Sequence, residues 1–423
     1  MRITPFDDKE TERATYPDVR LAAPLGLPEL RKIEQILHLY HSKWDTQVRD
    51  VNVLFEQPLV LPLREWQKLC NIAEQLAAET IALESIILGE RSGALSSLGV
   101  PAGAREVLGS DTQSRSVVNV RRTRNMRFDF HPIKSGWCVS EVNSDVPGGW
   151  SESTFFPLLY KPYYNDLDCP PLPLQAWGDA VQALAPSGKV ILMSAPGYLE
   201  DEQVVRTFVT ELQRRRIPNR MIKTPAALHW SDHHGCTLST GERVSVIVRF
   251  YQIEWLLALP ERTGWRALLQ TSALPVINPT ISVLSESKRF PLAFYESRNC
   301  PTWKSHMPEC RDPREVDQAD WDHWVLKACY SNTGDRTYLC GSLTKKEKQR
   351  VIREAQRNPL MWIAQKRFET RPVRSCRGLL YPCVGVFVVN GRAAGAYVRL
   401  SVGQVTDGSA FEAPLLIDSR SLK

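Results

Sequence analysis

Two short segments of alternating polar and apolar residues, joined by a turn, constrain the fold of this chain most strongly. Residues 126–131 and 137–143 alternate as β-strands do, and residues 134–136, Lys-Ser-Gly, are typical of a turn. We expect a β-hairpin with a three-residue loop, in which Ile133 pairs with Trp137. The loop length decides the outcome, because a shift of one residue moves every side chain to the other face.

In the expected register the polar side chains of the hairpin converge on one face. Asp129 lies opposite Glu141 and Arg127 lies opposite Asn143, and opposed Cβ atoms are about 4.5–5.5 Å apart. Opposed carboxylates repel each other, so Arg127 and a divalent cation are expected to neutralise them. Asp129, Glu141 and Asn143 offer only oxygen ligands, which favours Mg²⁺ or Mn²⁺ over zinc. A solvent-exposed hairpin with an ordinary ion pair is the alternative.

The rest of the chain divides into parts with different patterns. Residues 1–125 read as mainly helical, with apolar residues at helical spacing over 28–44 and 63–87. Residues 126–175 carry the hairpin, and residues 180–275 form a small α/β unit with a parallel crossover. Residues 276–423 mix strands with one helix, and Asn390-Gly391 marks a second hairpin turn.

Composition excludes several classes of protein. The 423 residues are 43% hydrophobic and 24% charged, which is typical of a globular protein. We find no apolar run of the roughly 18–20 residues that a membrane span needs, and no signal peptide. The ten cysteines are dilute, so we expect reduced, mostly buried thiols in a cytoplasmic protein. A net charge of +6 does not argue for nucleic acid, but it is compatible with an anionic nucleotide.

The hairpin residues resemble a known family. Arg127-x-Asp129-Phe, followed by Glu141-x-Asn143-x-Asp145, resembles the start of the ATP-binding ligase domain of glutathionylspermidine synthases, a family with an ATP-grasp fold. Further segments resemble the family in the same order along the chain: 249–255, 278–288, 324–335, 363–365, 394–399 and 405–406. Each segment alone is a weak match, and the shared order makes the case.

The resemblance implies an ATP-grasp fold of the α+β or α/β class, with a rearranged order of segments and an inserted α/β unit, similar to a pre-ATP-grasp domain, at residues 180–275. It implies Arg127 and Arg399 as catalytic residues and Asp129, Glu141 and Asn143 as ligands of Mg²⁺. ATP is expected to contact Arg127, Asp129, Lys288, Lys327, Gly334, Asp335, Gln365, Lys366, Arg367, Phe368, Val405 and Thr406. Lysines on strands suit this role because they place point charges at phosphates.

The reaction implied is carboxylate–amine ligation through an acyl phosphate, which needs no nucleophilic side chain. The acid is expected to be peptide- or amino-acid-like and the amine a primary amine or polyamine. The separate amidase domain of bifunctional members is not expected, because helical sequence precedes the hairpin. Polyamine recognition needs an acidic groove, and we find no acidic cluster in the sequence that can be placed in one. Two alternatives stay open: an ATP-binding scaffold protein that no longer ligates, and a phosphotransferase that stops at the phosphorylated substrate.

Overall fold

The computed structural model describes residues 16–48, 51–90, 93–110, 123–185, 188–231, 235–271, 274–297, 299–331, 334 and 336–422. The helices are α1 Leu27–Tyr40, α2 Leu63–Glu90, α3 Gly93–Ser97, α4 Ala102–Leu108, α5 Trp150–Tyr160, α6 Pro173–Leu184, α7 Leu199–Arg214, α8 Ile253–Leu257, α9 Trp265–Gln270, α10 Ser282–Glu286, α11 Leu292–Glu296, α12 Pro301–His306 and α13 Lys345–Arg357.

The strands are short, with two long exceptions near the C-terminus. They are β1 Arg20–Leu21, β2 Gln47–Val48, β3 Val51–Asn52, β4 Leu59–Pro62, β5 Asn125–Ile133, β6 Gly136–Asn143, β7 Lys189–Ser194, β8 Asn219–Ile222, β9 Leu228–Ser231, β10 Gly235–Leu238, β11 Val244–Phe250, β12 Val276–Ile277, β13 Cys310–Arg311, β14 Trp324–Ala328, β15 Thr337–Leu339, β16 Trp362–Lys366, β17 Val373–Ser375, β18 Gly378–Val389, β19 Arg392–Ser401, β20 Phe411–Ala413 and β21 Leu415–Asp418.

The central sheet joins the early hairpin to the late one. Its strands lie in the order β20-β19-β18-β5-β6, all antiparallel, and β17 also pairs with β18. The β18–β19 turn is Asn390-Gly391, and both residues have the positive φ angles that a tight hairpin turn requires. Segments far apart in the chain therefore share one sheet face.

The register of the early hairpin is confirmed, but the predicted loop is wrong. Asp129 pairs with Glu141 and Arg127 with Asn143, as expected. The turn has two residues instead of three, so Ile133 pairs with Gly136. A bulge between the Asp129 and Phe130 pairs leaves Ser140 as the extra residue. The bulge restores the register that the shorter turn would otherwise shift.

Two further sheets flank the central one. The α/β unit has four parallel strands in the order β12-β11-β7-β8, and α7 forms the predicted crossover between β7 and β8. The other sheet is antiparallel, in the order β13-β16-β14-β15, with α13 packed against it. Its strands β14 and β16 carry Lys327 and Gln365.

The largest hydrophobic cluster fixes which way the hairpin faces. Phe128 and Phe130 are fully buried in a cluster shared with residues of α2. They alternate with Arg127 and Asp129, so these polar side chains point to the opposite face.

The N-terminal part is less purely helical than the pattern predicts. Helix α2 covers the predicted segment 63–87, but α1 ends at Tyr40, four residues before the predicted end at Trp44. Four short strands accompany these helices in the described part of this region. Of these, β4 pairs in parallel with β21 near the C-terminus. Its residues Leu59–Pro62 are all buried, and such a short apolar run carries no helical or strand periodicity that distinguishes it.

Two other expectations can be compared with the structure. Seven of the ten cysteines are buried, as predicted. Within the described ranges, no helix has the length and apolar character to cross a membrane.

Candidate active site

Four strands each contribute one residue to a row across the central sheet. Tyr397 of β19, Gly385 of β18, Asp129 of β5 and Glu141 of β6 are successive partners in the ladder. Opposed residues point to the same face of a sheet, so their side chains meet.

Asp129 lies at the centre of this face, and two arginines share its carboxylate. Arg127 donates from Nε to Oδ1 at 2.8 Å and from Nη2 to Oδ2 at 3.0 Å. Arg399 donates from Nη2 to Oδ2 at 2.6 Å, and the amide nitrogen of Asn143 donates to the same oxygen at 3.3 Å. Burial alone would raise the pKa of Asp129, but the charges of Arg127 and Arg399 outweigh it and lower the pKa. The carboxylate therefore stays ionised and joins two cations that would otherwise repel each other.

Gly385 leaves the space in which this ion pair lies. A Cβ atom at Gly385 would be 2.8 Å from both Arg127 Cδ and Asp129 Oδ1. The Arg127–Asp129 pair is thus in close contact with the backbone of β18 at Gly385. Any residue with a side chain at position 385 would displace the pair.

The lysines on the neighbouring elements approach Glu141. The Nζ atom of Lys288 is 3.7 Å from Glu141 Oε2 and donates to the carbonyl of Ser331 at 2.6 Å. Lys327 is buried. Burial lowers the pKa of Lys327, and the charge of Lys288 adds to this while Glu141 opposes it. Burial would raise the pKa of Glu141, but Lys288 and Lys327 outweigh it and lower the pKa.

The bulge residue Ser140 connects the hairpin to the flanking sheet. Its carbonyl accepts hydrogen bonds from Lys327 Nζ at 3.3 Å and from Gln365 Nε2 at 3.1 Å. Its hydroxyl lies 3.0 Å from His131 Nε2. Burial lowers the pKa of His131 to about 4, and its ring centroid is 5.1 Å from that of Phe368. A carbonyl released from the ladder thus orients two predicted nucleotide-binding side chains.

A pocket between the central and flanking sheets collects most of the predicted nucleotide-binding residues. It is lined by Asp129, Glu141, Lys288, Lys327, Gly334, Gln365, Arg367, Phe368, Arg399, Val405 and Thr406, together with residues that the sequence analysis did not select: His131, Ser140, Val325, Ser331, Thr337, Leu339, Cys383 and Gln404. Gly334 has a φ of +72°, and a Cβ atom there would be 2.6 Å from the carbonyl oxygen of Thr406. Two loops therefore approach closely at this end of the pocket.

Two predicted nucleotide-binding residues of the described part of the chain do not line this pocket: Arg127 lines a second cleft, and Lys366 points elsewhere. The side chain of Lys366 donates to Asp320 at 2.9 Å and lies over the Trp324 ring, so it faces away. It is flanked by Gln365 and Arg367, which line the pocket, as strand alternation requires. Asp335 lies outside the described residues.

A second cleft, of about 340 Å³, adjoins the first pocket, with which it shares Glu141, Ser331 and Arg399. Arg127, Glu141, Asn143 and Arg399 line it, together with nine further carboxylates: Asp45, Asp145, Glu152, Glu200, Asp201, Glu254, Glu286, Asp407 and Glu412. The sequence offers no acidic cluster that can be placed in a groove, whereas the fold gathers these carboxylates into one cleft. These residues come from distant segments, so no acidic run marks them in the sequence.

Several of these carboxylates are crowded and buried. Burial raises the pKa of Glu254 to about 8, with Asp145 and Glu286 adding to the effect. Burial, with Asp145 adding, also raises the pKa of Glu286. The Oδ2 atom of Asp201 is buried without a hydrogen-bond partner among the described residues. Such a cleft favours a bound cation, which would relieve the repulsion.

The predicted metal ligands lie close together on the early hairpin. Asp129, Glu141 and Asn143 present hard oxygen donors on one face, which suits Mg²⁺. Among the described residues, Oδ1 of Asp129 accepts one hydrogen bond whereas Oδ2 accepts three, so Oδ1 keeps a lone pair. No group of three His, Cys, Asp or Glu side chains in the described part of the chain could hold a metal ion. A metal here would therefore need the Asn143 amide or substrate oxygens as well.

The chain is similar to proteins of a known family. The family model described as glutathionylspermidine synthase preATP-grasp matches residues 29–418. No curated protein matches the chain. Among solved structures, a gamma-glutamylcysteine synthetase from Methylobacillus flagellatus KT is similar, with 12% identity, a TM-score of 0.37 and coverage of 79% of this chain and 84% of that one. D-alanyl-alanine synthetase A from Vibrio cholerae O1 biovar eltor shares 13% identity with a TM-score of 0.35, over 51% of this chain and 66% of that one.

Replacing Gly385 with alanine tests the close packing under the ion pair. We expect Gly385→Ala to lower the free energy of unfolding by about 1–3 kcal/mol, the usual cost of overpacking. Gly89→Ala is the matched control, because a Cβ atom at Gly89 meets nothing within 4 Å. Gly89 lies within helix α2, so alanine there should be neutral or stabilising by about 0.5–1 kcal/mol. Urea denaturation measures both, and equal midpoints for Gly385→Ala and wild type would contradict the packing argument.

Proposed function

Because the chain belongs to the glutathionylspermidine synthase preATP-grasp family, we propose that it is an ATP-dependent ligase that joins a peptide- or amino-acid-like carboxylate to a primary amine or polyamine. The observation that carries the proposal is the position of the Arg127–Asp129–Arg399 cluster. It lies where the lysine-containing pocket meets the acidic cleft, and Glu141 and Arg399 line both.

ATP is proposed to bind in the first pocket. Lys288 and Lys327 supply fixed positive charges for its phosphates. Gln365, Arg367 and Phe368 form the wall proposed for the base. Mg²⁺, when held by Asp129, Glu141 and Asn143, would neutralise phosphate charge.

The two arginines are proposed to stabilise the transferring phosphoryl group. The substrate carboxylate attacks the γ-phosphorus, which gives an acyl phosphate and ADP. The amine then loses one proton to a carboxylate of the acidic cleft and attacks the acyl carbon; phosphate leaves and takes up the second proton as the amide forms. The buried Nε of Arg399 has no hydrogen-bond partner among the described residues, so one N–H donor is left for an anion. An arginine aimed at developing charge is the main catalytic contribution of such a site.

The acidic cleft is proposed to take the amine. Its carboxylates outnumber its two arginines, and a protonated amine would offset the excess negative charge. Glu254 and Asp201 are suited to this role because they are crowded by other acids.

The reaction is tested by incubating the protein with ATP, Mg²⁺ and pooled acids and amines, measuring released phosphate and new amide masses. We expect both products. Phosphorylated acid without amide would favour the phosphotransferase. Nucleotide-dependent thermal stabilisation without phosphate release would favour the scaffold protein. The absence of both thermal stabilisation and phosphate release would contradict ATP binding.

Removing the shared carboxylate should slow turnover strongly. We expect Asp129→Ala to lower kcat by about 10²–10³-fold, because it releases both arginines from their proposed positions. Asp312→Ala is the matched control, since Asp312 is also buried between two arginines, Arg289 and Arg314, and lines neither pocket. Turnover by Asp129→Ala at the control's level would contradict the assignment.

Glu254 should set the affinity for the amine. Because its pKa is raised to about 8, Glu254 is largely protonated at pH 7 and becomes charged as the pH rises. Asp145, Glu286 and Tyr330 face it as acidic groups, and Arg249 as a cation. In wild type the KM for the amine should fall as the pH rises through 8, below the amine's own pKa.

Glu254→Gln should remove this pH dependence and raise the amine KM about 10-fold at pH 8.5, with the KM for ATP unchanged. Glu106→Gln, at an exposed position that lines neither pocket, is the control and should behave as wild type. An unchanged amine KM in Glu254→Gln would exclude the cleft as the amine site.

A further inference from the structure

Tyr397 occupies a slot between the two arginines and a glycine. Its ring centroid is 5.4 Å from the Cζ atom of Arg127 and 5.3 Å from that of Arg399. On another side, a Cβ atom at Gly149 would be 2.5 Å from the ring, and Gly149 has a φ of +92°. Only glycine leaves both the backbone angle and the space that the ring requires at this position.

The turn before helix α5 supports the same group of residues. Gly148 precedes Gly149, and its carbonyl accepts a hydrogen bond from Arg127 Nη1 at 2.8 Å. Arg127 is therefore held on one side by this carbonyl and by Asp129, while the Tyr397 ring lies against it.

The phenol of Tyr397 is anchored at its far end. It donates to Glu412 Oε1 at 2.6 Å, and Glu412 Oε2 lies 2.9 Å from the buried Nζ of Lys43. Lys43 also pairs with Asp45 and Glu152. Burial, with Glu412 adding, raises the pKa of Tyr397 well above its usual value, so the phenol remains a neutral donor.

From this arrangement we propose that Tyr397 is a positioning residue that holds Arg127 and Arg399 side by side at the phosphoryl group. The electron-rich face of its ring attracts both guanidinium groups and partly offsets the repulsion between them. The hydrogen bond to Glu412 fixes the orientation of the ring. The catalytic meaning of this inference rests on the proposed ligase activity, but the geometric claim does not.

The first test is independent of turnover. In protein labelled with ¹⁵N-arginine, the Nε–Hε signals of Arg127 and Arg399 are assigned from Arg127→Lys and Arg399→Lys spectra. Stacking on an aromatic ring should displace these signals from the positions of free arginine. We expect Tyr397→Leu to move them back most of the way and Tyr397→Phe, which keeps the ring but loses its anchor, part of the way.

Tyr164→Phe is the control, because the Tyr164 phenol also donates a hydrogen bond of 2.6 Å, in this case to the carbonyl of Ala23, and lines neither pocket. It should leave the arginine signals unchanged. If Tyr397→Leu fails to fold, Tyr397→Phe still decides the question. Arginine signals at wild-type positions in the folded Tyr397 variants would overturn the proposal.

The second test is kinetic. Tyr397→Leu should lower kcat about 10²-fold with little change in the KM for ATP, since misplaced arginines weaken the transition state more than nucleotide binding. Tyr397→Phe should recover part of this loss. Displaced arginine signals together with an inactive wild type would refute the ligase activity alone, whereas wild-type kcat in Tyr397→Leu would refute the positioning role.

Discussion

The carboxylate of Asp129, shared by the guanidinium groups of Arg127 and Arg399, is the interaction on which this site depends. Removing one partner of a buried ion pair typically costs about 3–5 kcal/mol, because it leaves an unpaired charge. Here the loss of Asp129 would leave two. Arg399 and Asp129 are 270 positions apart, so the site forms only when the early and late hairpins complete one sheet. Gly385 provides the space, and the Tyr397 ring covers the side of the cluster toward β19.

Local patterns in the sequence predict the strands of this sheet well. Alternation and turn residues place both hairpins and the opposition of Asp129 and Glu141, because these features depend on neighbouring residues. The bulge at Ser140 is not predictable in this way. Its carbonyl accepts hydrogen bonds from Lys327 and Gln365, about 190 and 225 positions further along the chain. The residues next to Ser140 in the sequence do not indicate these two partners. A three-residue loop without a bulge and a two-residue turn with a bulge both pair Asp129 with Glu141, and the structure has the second combination.

The acidic cleft and Lys366 show two different limits of sequence reasoning. The cleft collects carboxylates from loops and elements between Asp45 and Glu412, and only the fold brings them together. A search for acidic runs cannot find such a site. Lys366 is the opposite case, because the alternation of β16 already places it on the face opposite Gln365. Strand geometry, applied to each residue of a matching segment, would have removed it from the predicted pocket.

The two pockets separate charge in a way that the net charge of +6 conceals. The first pocket is lined by the cations Lys288, Lys327, Arg367 and Arg399, whereas carboxylates dominate the lining of the acidic cleft. Two unit charges 4 Å apart interact by about 4 kcal/mol at an effective dielectric constant of 20. An anionic phosphate and a cationic amine would therefore each be favoured in one pocket and disfavoured in the other. Because Arg399 and Glu141 line both, the oppositely charged substrates would meet at the arginine pair, which is where the proposed acyl transfer requires them.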